Sequence, residues 1–290
     1  MKLEFKKDSL LNGINIVSKA IPSRTTMSIL ECILIDADAS EIKLTGNDME
    51  LGIETKVEGS ILERGKIALE AKLFYEIIRK LPDGETPVVI TSDNRFNTII
   101  ECENAVFNIQ GRDGEEFSYL PYIERDQHIS LTQFTLKEAI RQTIFSISPN
   151  DSNKMMAGEL LEVKDDFLKV VSLDGHRISI RNIQLKEHYD NHKVIVPGKT
   201  LSEISKILTG DNEKEVLIYF SKNHILFEFD DTVVVSRLID GEYFKIDHML
   251  SSDYETRVKL NKRDFMDNID RAMILIRDSD RKPIIMNVED

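Results

Sequence analysis

Residues 66–81, KIALEAKLFYEIIRKL, return in altered form at 193–208, KVIVPGKTLSEISKIL, aligned without a gap. Lys66, Lys72, Glu76, Ile77 and Leu81 meet Lys193, Lys199, Glu203, Ile204 and Leu208, and apolar Phe74 meets Leu201. A second series has nearly the same period. Apolar residues fall at helical spacing in 10–21 (Leu10, Ile14, Val17, Ile21), in 139–148 (Ile140, Ile144, Ile147) and in 264–276 (Phe265, Ile269, Ala272, Met273, Ile276). A chain of 290 residues that repeats at this period is an array of similar units, and each unit must be read alike.

Each unit starts with a short strand: Leu3–Phe5, Ile129–Leu131, Arg257–Leu260. A helix follows, then apolar or alternating strands such as CILIDAD, EIKLTG and LGIETKV. A second helix is entered through KIALEA or KVIVPG. Closing strands come last: PVVITSD, TIIECE and VFNIQ in the first unit, VLIYFS, HILFEF and TVVVSRLI in the second. The second unit also offers LLEVKDD, FLKVVSL and RISIRN as strands. Asp-Gly pairs at 83–84, 113–114, 174–175 and 240–241 punctuate the runs as turns. The expected fold class is α+β, with antiparallel sheets and two helices per unit. The expected domains are 1–125, 127–251 and 252–290. The third is incomplete, because the period calls for about ninety further residues.

Charge is distributed unevenly. The chain carries −13 at neutral pH, which argues against coating nucleic acid by bulk attraction. The four helical segments 9–24, 66–82, 137–148 and 193–208 nevertheless sum to +7, leaving −20 on the rest. Solvated helix faces often carry lysine, and that is one reading. The other gathers the helices on one side as a positive lining on an acidic body. That lining would meet phosphates without reading sequence, since no helix offers an Arg/Asn/Gln cluster suited to the major groove.

Several classes of chemistry lack residues to perform them. Cys32 and Cys102 are the two cysteines, too few for a disulfide framework, and a reducing cytoplasm is expected. No apolar run has membrane-spanning length, and MKLEFKKDSLLNG lacks a secretory apolar stretch. His188 and His192 are four apart, but two histidines do not make a ligand set, so no metal is expected. Ser172, Asp174 and His176 lie in one short strand-turn run that does not suggest a triad. There is no phosphate-binding loop and no dinucleotide glycine pattern, so neither a cofactor nor a catalytic residue is assigned.

RTTMSILECILI (24–35), LTGNDMELGI (44–53), AKLFYEIIRKLPDG (71–84), VVSLDGHRISI (170–180), VIVPGK (194–199) and SRLIDGEYF (236–244) occur in the order and spacing of one family. Through these stretches the chain resembles the bacterial sliding clamps, the beta subunits of DNA polymerase III. The resemblance implies a head-to-tail homodimeric ring of three similar domains per subunit, with helices lining the hole and sheets outside. It implies a non-catalytic processivity factor that encircles double-stranded DNA. It also implies partners: the polymerase III catalytic subunit, the clamp loader and other proteins carrying a clamp-binding motif.

Site residues follow from the same resemblance. Arg24, Asn150, Lys154 and Lys199 stand where the family touches DNA, although Asn153 and Met155 replace residues often aromatic or arginine. Met156, Leu173, Gly175, His176, Arg177, Ile178, Phe244, His248 and Met249 match a hydrophobic pocket for a linear peptide. Phe244 and His248 replace a proline and an arginine of well-known relatives, and the C-terminal segment that completes the pocket lies beyond this sequence. Lys72, Ile274 and Leu275, with strand 103–110, match the subunit contact. Taken alone, VVSLDGHRISI reads as a plain hairpin with an Asp-Gly turn. Two alternatives stand beside the clamp: an enzyme acting on nucleic acid with the repeats as scaffold, and a peptide-binding adaptor fragment that does not close a ring.

Overall fold

Strand β1 (Lys2–Phe5) buries Leu3 and Phe5 and leads directly into helix α1 (Lys7–Val17). Leu10, Ile14 and Val17 fall on one face of α1, and that face is buried. Then come β2 (Cys32–Asp36), β3 (Ile42–Asn47), β4 (Leu51–Val57), β5 (Gly59–Glu63) and β6 (Lys66–Glu70). Helix α2 (Ala71–Lys80) buries Phe74, Ile77 and Ile78, and β7 (Val88–Ser92), β8 (Asn97–Cys102), β9 (Ala105–Gln110) and β10 (Arg112–Asp113) close the first repeat. The second repeat runs β11 (His128–Thr132), α3 (Gln133–Thr143), β12 (Gly158–Leu173), β13 (Ile178–Pro197), α4 (Gly198–Ile207), β14 (Glu215–Phe220), β15 (His224–Phe229) and β16 (Thr232–Arg237). Thr132 caps α3, its Oγ1 accepting from Thr135 N at 3.1 Å. This computed structural model describes residues 1–148, 153–250, 253, 255–274 and 284–288. They divide into two compact units, Met1–Tyr243 and Phe244–Asp290.

The repeat is real at the level of elements. β14, β15 and β16 begin at the same offset from β7, β8 and β9 as Lys193 has from Lys66. Every strand pairing is antiparallel, so the fold is α+β as expected. One difference is that the separate runs of the second repeat join. LLEVKDD and FLKVVSL form the single strand β12, and RISIRN through KVIVP form β13. Register shifts around Asp165, whose φ is 57°, bend the hairpin where the first repeat uses separate strands. Of the four Asp-Gly pairs, 174–175 joins two paired strands, with Gly175 at φ 85°. Asp113 instead accepts from Glu115 N at 2.9 Å and opens a short 3-10 turn, a local use of the same side-chain chemistry.

The two repeats share one sheet. Nine strands run in the order β10-β6-β2-β3-β4-β16-β15-β14-β11, so β4 of the first repeat is bonded to β16 of the second. Ile53 sits opposite Val234 and Thr55 opposite Thr232. A second sheet, β5-β1-β7-β8-β9, leaves β9 at an edge. Alternation along β16 separates two layers. Val234 joins a buried cluster holding Leu10 and Ile14 of α1 and Leu201 and Ile204 of α4. Val235 joins Ile123, Tyr219 and Leu226, where the segment connecting the repeats crosses the sheet through Leu120 and Ile123. Helices cover one face and the connector crosses the other.

The second unit contains helix α5 (Lys262–Met273), capped by Asn261 Oδ1, which accepts from Arg263 N at 2.9 Å. The helix is where the periodicity puts it; the entry strand expected at Arg257–Leu260 is not formed. The equivalent β1 is held by β5 and β7, which come much later in the first repeat. A lone strand has no ladder to satisfy its backbone groups. Among the described residues α5 buries none of its own side chains.

Candidate functional site

Three regions hold the residues that the sequence singles out. The first is a groove of about 530 Å3 on the helix-bearing face, where the repeats meet. Asn12, Asn15 and Lys19 of the α1 segment line one bank, Lys206 of α4 the other, with Thr55 and Thr232 among the residues between. Lys206 pairs with Glu203 at 2.7 Å, whereas Lys19 makes no ion pair among the described residues. Lys56 and Lys214 also line the groove and are held protonated by hydrogen bonds to Glu41 and Asp230. The helices therefore bring lysines from both repeats to one surface.

Arg24 and Lys154 are exposed, in the loop after α1 and in the 3-10 turn Lys154–Ala157. Asn153 Oδ1 caps that turn, accepting from Met155 N at 3.0 Å. Asn150 lies outside the described residues. Lys199, on the first turn of α4, forms a salt bridge with Asp48 of the first repeat. Asp48 is not among the sequence candidates. Its Oδ1 accepts from Glu50 N at 3.0 Å and Leu51 N at 2.6 Å, which fixes the carboxylate. Asp48 is local turn chemistry in the sequence; only the β4–β16 pairing sets it against Lys199.

The second region is the turn between β12 and β13. Asp174 organises it: Oδ1 accepts from His176 N at 3.0 Å and Arg177 N at 3.1 Å, and Oδ2 takes Arg177 Nε at 2.8 Å. Those donors depress the Asp174 pKa, the His176 N–H bond first. Asp174 is thereby a turn former, and Arg177 is held with its guanidinium 5.6 Å from the Phe145 ring. Gly175, His176 and Arg177 are exposed, Met156 and Ile178 half-buried, and Leu173 buried. Phe244, His248 and Met249 belong to the second unit, where His248 and Met249 are exposed and Phe244 half-buried.

A single element ties the first-unit members together: the C-terminal end of α3 and the residues that follow it. Ser172 Oγ donates to Thr143 O at 2.5 Å, Ser146 Oγ bonds Ser179 Oγ at 2.6 Å, and Ser148 N donates to Met156 O at 2.7 Å. Sequence reasoning misses these serines and threonines, because their burial depends on strand register and not on local pattern.

The third region is the outer edge of β9. Val106 is 61% exposed and Phe107 36% exposed, with β8 on the other side. Lys72 is exposed on α2, which also presents Leu73 at 42%. Ile274 is exposed in the second unit, and Leu275 lies outside the described residues.

His188 Nδ1 bonds Asp165 Oδ1 at 2.5 Å and His192 stacks on Phe220 at 4.4 Å, so each has a structural partner. Among the described residues no His/Cys/Asp/Glu group could hold a metal ion, and no helix is long and apolar enough to cross a membrane.

Comparison with known proteins gives a consistent result. Residues 1–121 match the family model for the DNA polymerase III beta subunit, N-terminal domain, and 130–245 match its central domain. The beta sliding clamp of Staphylococcus epidermidis is 35% identical over 286 residues, covering 96% of this chain and 75% of the relative. That of Staphylococcus aureus is 33% identical over 298 residues, covering 100% and 78%. A crystal structure from Eubacterium rectale is 64% identical with a TM-score of 0.97, covering 100% of this chain and 78% of that one. The DNA polymerase sliding clamp of Bacillus subtilis is 34% identical with a TM-score of 0.92, covering 96% and 75%.

Proposed function

The chain belongs to the family of DNA polymerase III beta subunits, the bacterial sliding clamps, and from that premise we propose how its own residues do a clamp's work. It acts as a processivity factor in DNA replication, in the cytoplasm, without catalysing a reaction. It encircles duplex DNA with the helix-bearing face inward, three domains to a subunit at about 1–125, 127–251 and from 252 onward. The observation that carries this reading is the groove at the repeat junction, where Lys19, in the turn after α1, and Lys206 of α4 share one face of a continuous sheet in a protein of net charge −13.

The mechanism is topological. Lysines on flexible stems meet phosphates one at a time, without reading bases, so each contact is weak and exchangeable. An acidic exterior discourages adsorption from outside. DNA is then held because it is enclosed, and the ring is free to slide. Arg24, Lys154, Lys199 and the groove lysines supply the contacts; Asn150 is carried over from the family alone.

A tethered polymerase stays at high effective concentration at the primer end. The turn at Leu173–Ile178, with Met156, supplies the docking site for a linear peptide with apolar anchors. Phe244, His248 and Met249 join that site by likeness to the family alone. The polymerase catalytic subunit, the clamp loader and other proteins with such a motif are its partners.

Ring closure has support in the repeat itself. β9 is the counterpart of β16, and β16 is bonded along its length to β4 of the neighbouring repeat. The outer edge of β9 offers the same ladder to a strand of a second copy, beside Lys72 and opposite Ile274 and Leu275 of that copy's third domain. The test is retention on DNA. The protein at its natural length, loaded on nicked circular DNA, should survive a wash in molar-range salt and be lost once the circle is cut. Equal, salt-sensitive loss from circular and linear DNA would overturn enclosure. Peptide binding without DNA retention would select the adaptor reading.

A further inference from the structure

Glu159 is an anomaly in the core. It lies on β12 opposite Val196, with no exposed surface. In the first repeat Ile33 lies opposite Leu69, and Leu69 stands to Val196 as Lys66 stands to Lys193, so Ile33 is the counterpart of Glu159. Ile33 is also fully buried. The fold thus accepts an isoleucine at this position, and packing alone gives no reason for a carboxyl group.

Hydrogen-bond geometry and burial together favour a protonated carboxyl. Thr143 Oγ1 lies 2.8 Å from Ala139 O, to which it donates, and 3.1 Å from Glu159 Oε2. A threonine hydroxyl has one proton to give. With that proton on Ala139 O, the contact with Glu159 is satisfied when the carboxyl carries a proton and donates it to Thr143 Oγ1. Glu159 Oε1 has no hydrogen-bond partner among the described residues, an arrangement far more costly for a carboxylate than for a neutral acid. Among the described residues no lysine, arginine or histidine is near enough to compensate a charge; the titratable group facing Glu159 is Tyr243, whose phenol donates to Val171 O at 3.3 Å. Burial accordingly pushes the Glu159 pKa up to about 8.

The place matters as much as the state. Thr143 ends α3, and its carbonyl accepts from Ser172, which adjoins Leu173. Ser146 and Ser148 then bond Ser179 and Met156, beside Ile178 and the 3-10 turn. Every described first-unit strand or turn of the proposed peptide site is therefore bonded to the few residues at the end of α3, and Glu159 is bonded to their first. We propose that protonated Glu159 is a positioning residue for partner binding: it braces the end of α3 against β12, and its ionisation releases that brace and weakens binding at the Leu173–Ile178 turn.

The inference rests on the peptide-site reading, and the experiment separates the two. The protein at natural length is labelled with 13C-methyl methionine, and the Met155 and Met156 resonances are followed from pH 6 to 9.5. In parallel, a fluorescein-labelled pentapeptide with leucine and phenylalanine anchors is titrated against wild type, Glu159→Gln and Glu159→Ile. The Met156 methyl should shift with a midpoint near pH 8 in wild type, and not in either variant. Peptide affinity should fall about tenfold between pH 6.5 and 9 in wild type. Glu159→Gln, which still donates to Thr143, should bind at every pH as wild type does at pH 6.5. Exposed His176 is common to all three proteins, so its titration cannot produce the difference. A methyl titration unchanged in Glu159→Gln, or identical pH profiles for wild type and Glu159→Gln, would overturn the proposal. Absence of peptide binding by all three proteins, with the methyl titration intact, would overturn the peptide site and leave the titrating brace standing.

Discussion

Lys199 and Asp48 are far apart in the chain and meet at the repeat junction. The Asp48 side chain is only 8% exposed and is locked by two backbone N–H donors, so it cannot swing away; Lys199, at 58%, can. Lys199 is therefore partly neutralised before DNA arrives, and any phosphate it takes must compete with Asp48. With its lysine end solvated the pair is worth on the order of 1 kcal/mol, which makes the exchange easy. Asp48→Asn keeps the turn acceptor and removes the competing charge. Its expected effect is two- to fivefold tighter binding to short duplex DNA, with a salt dependence steeper by up to about one counterion, read by fluorescence anisotropy. Glu159 makes a second residue-scale prediction, on stability. Unfolded, its carboxyl titrates at an ordinary 4.5; folded, at about 8. Between those values only the unfolded chain releases the proton, so stability is fully present below pH 4.5 and is lost as pH rises through 8. The slope is about 1.4 kcal/mol per pH unit and the total on the order of 3–5 kcal/mol. Glu159→Gln should flatten that part of the Tm-versus-pH curve and raise Tm most at pH 8–9, measured by calorimetry.

Among elements, the β4–β16 seam carries the most consequence, because it makes two repeats into one sheet. Thr55 and Thr232 hydroxyls meet across it at 2.9 Å in a buried setting. Thr232→Val leaves Thr55 with only a long contact to Asp231 O, at 3.4 Å, and should cost about 1–2 kcal/mol in urea unfolding. Removing both hydroxyls, Thr55→Val with Thr232→Val, should cost less than the sum, since neither polar atom is then orphaned. The strands of this seam are legible in the sequence: LGIETKV and TVVVSRLI are β-branched runs of strand length. Their partnership is not, because strands in different repeats carry no local mark of each other. The same boundary explains the other differences. The Asp174 turn is legible because its chemistry is confined to its nearest neighbours in the chain. Glu159 reads as one polar position in LLEVKDD and its flank, and only the register of β12 puts it in the core. Helix α5 is legible from its period, while the strand at Arg257–Leu260, read from the same repeat, is not formed, because a strand needs a partner that its own residues do not specify.

At the scale of the molecule, charge alone does not account for binding DNA, since a net −13 repels what the helix-bearing face attracts. Enclosure resolves the conflict, and in the proposed ring the closing contact runs through β9. The counterpart strand β16 hydrogen-bonds β15 on one side and β4 on the other, whereas β9, among the described residues, has β8 alone and an outer edge without a partner. By the repeat offset, Phe107 corresponds to Val234, which faces Ile53 across the seam. An edge with Val106 and Phe107 exposed is unprotected against pairing: it carries neither proline nor a charged side chain, so it is built to be covered. Val106→Asp with Phe107→Asp places two carboxylates where the second copy's strand must dock. In the protein at natural length this should raise the dimer dissociation constant at least a hundredfold, about 2.7 kcal/mol, by sedimentation velocity. Val106 faces solvent in the single chain, whereas Phe107 stands opposite buried Ile100, so Tm should fall modestly and through Phe107→Asp. Retention on circular DNA should vanish while weak, salt-sensitive binding to short duplexes persists, because the groove lysines are untouched. A variant that stays dimeric and stays on circles would show that the copies meet elsewhere, and the correspondence of β9 with β16 would then explain the sheet without explaining the ring.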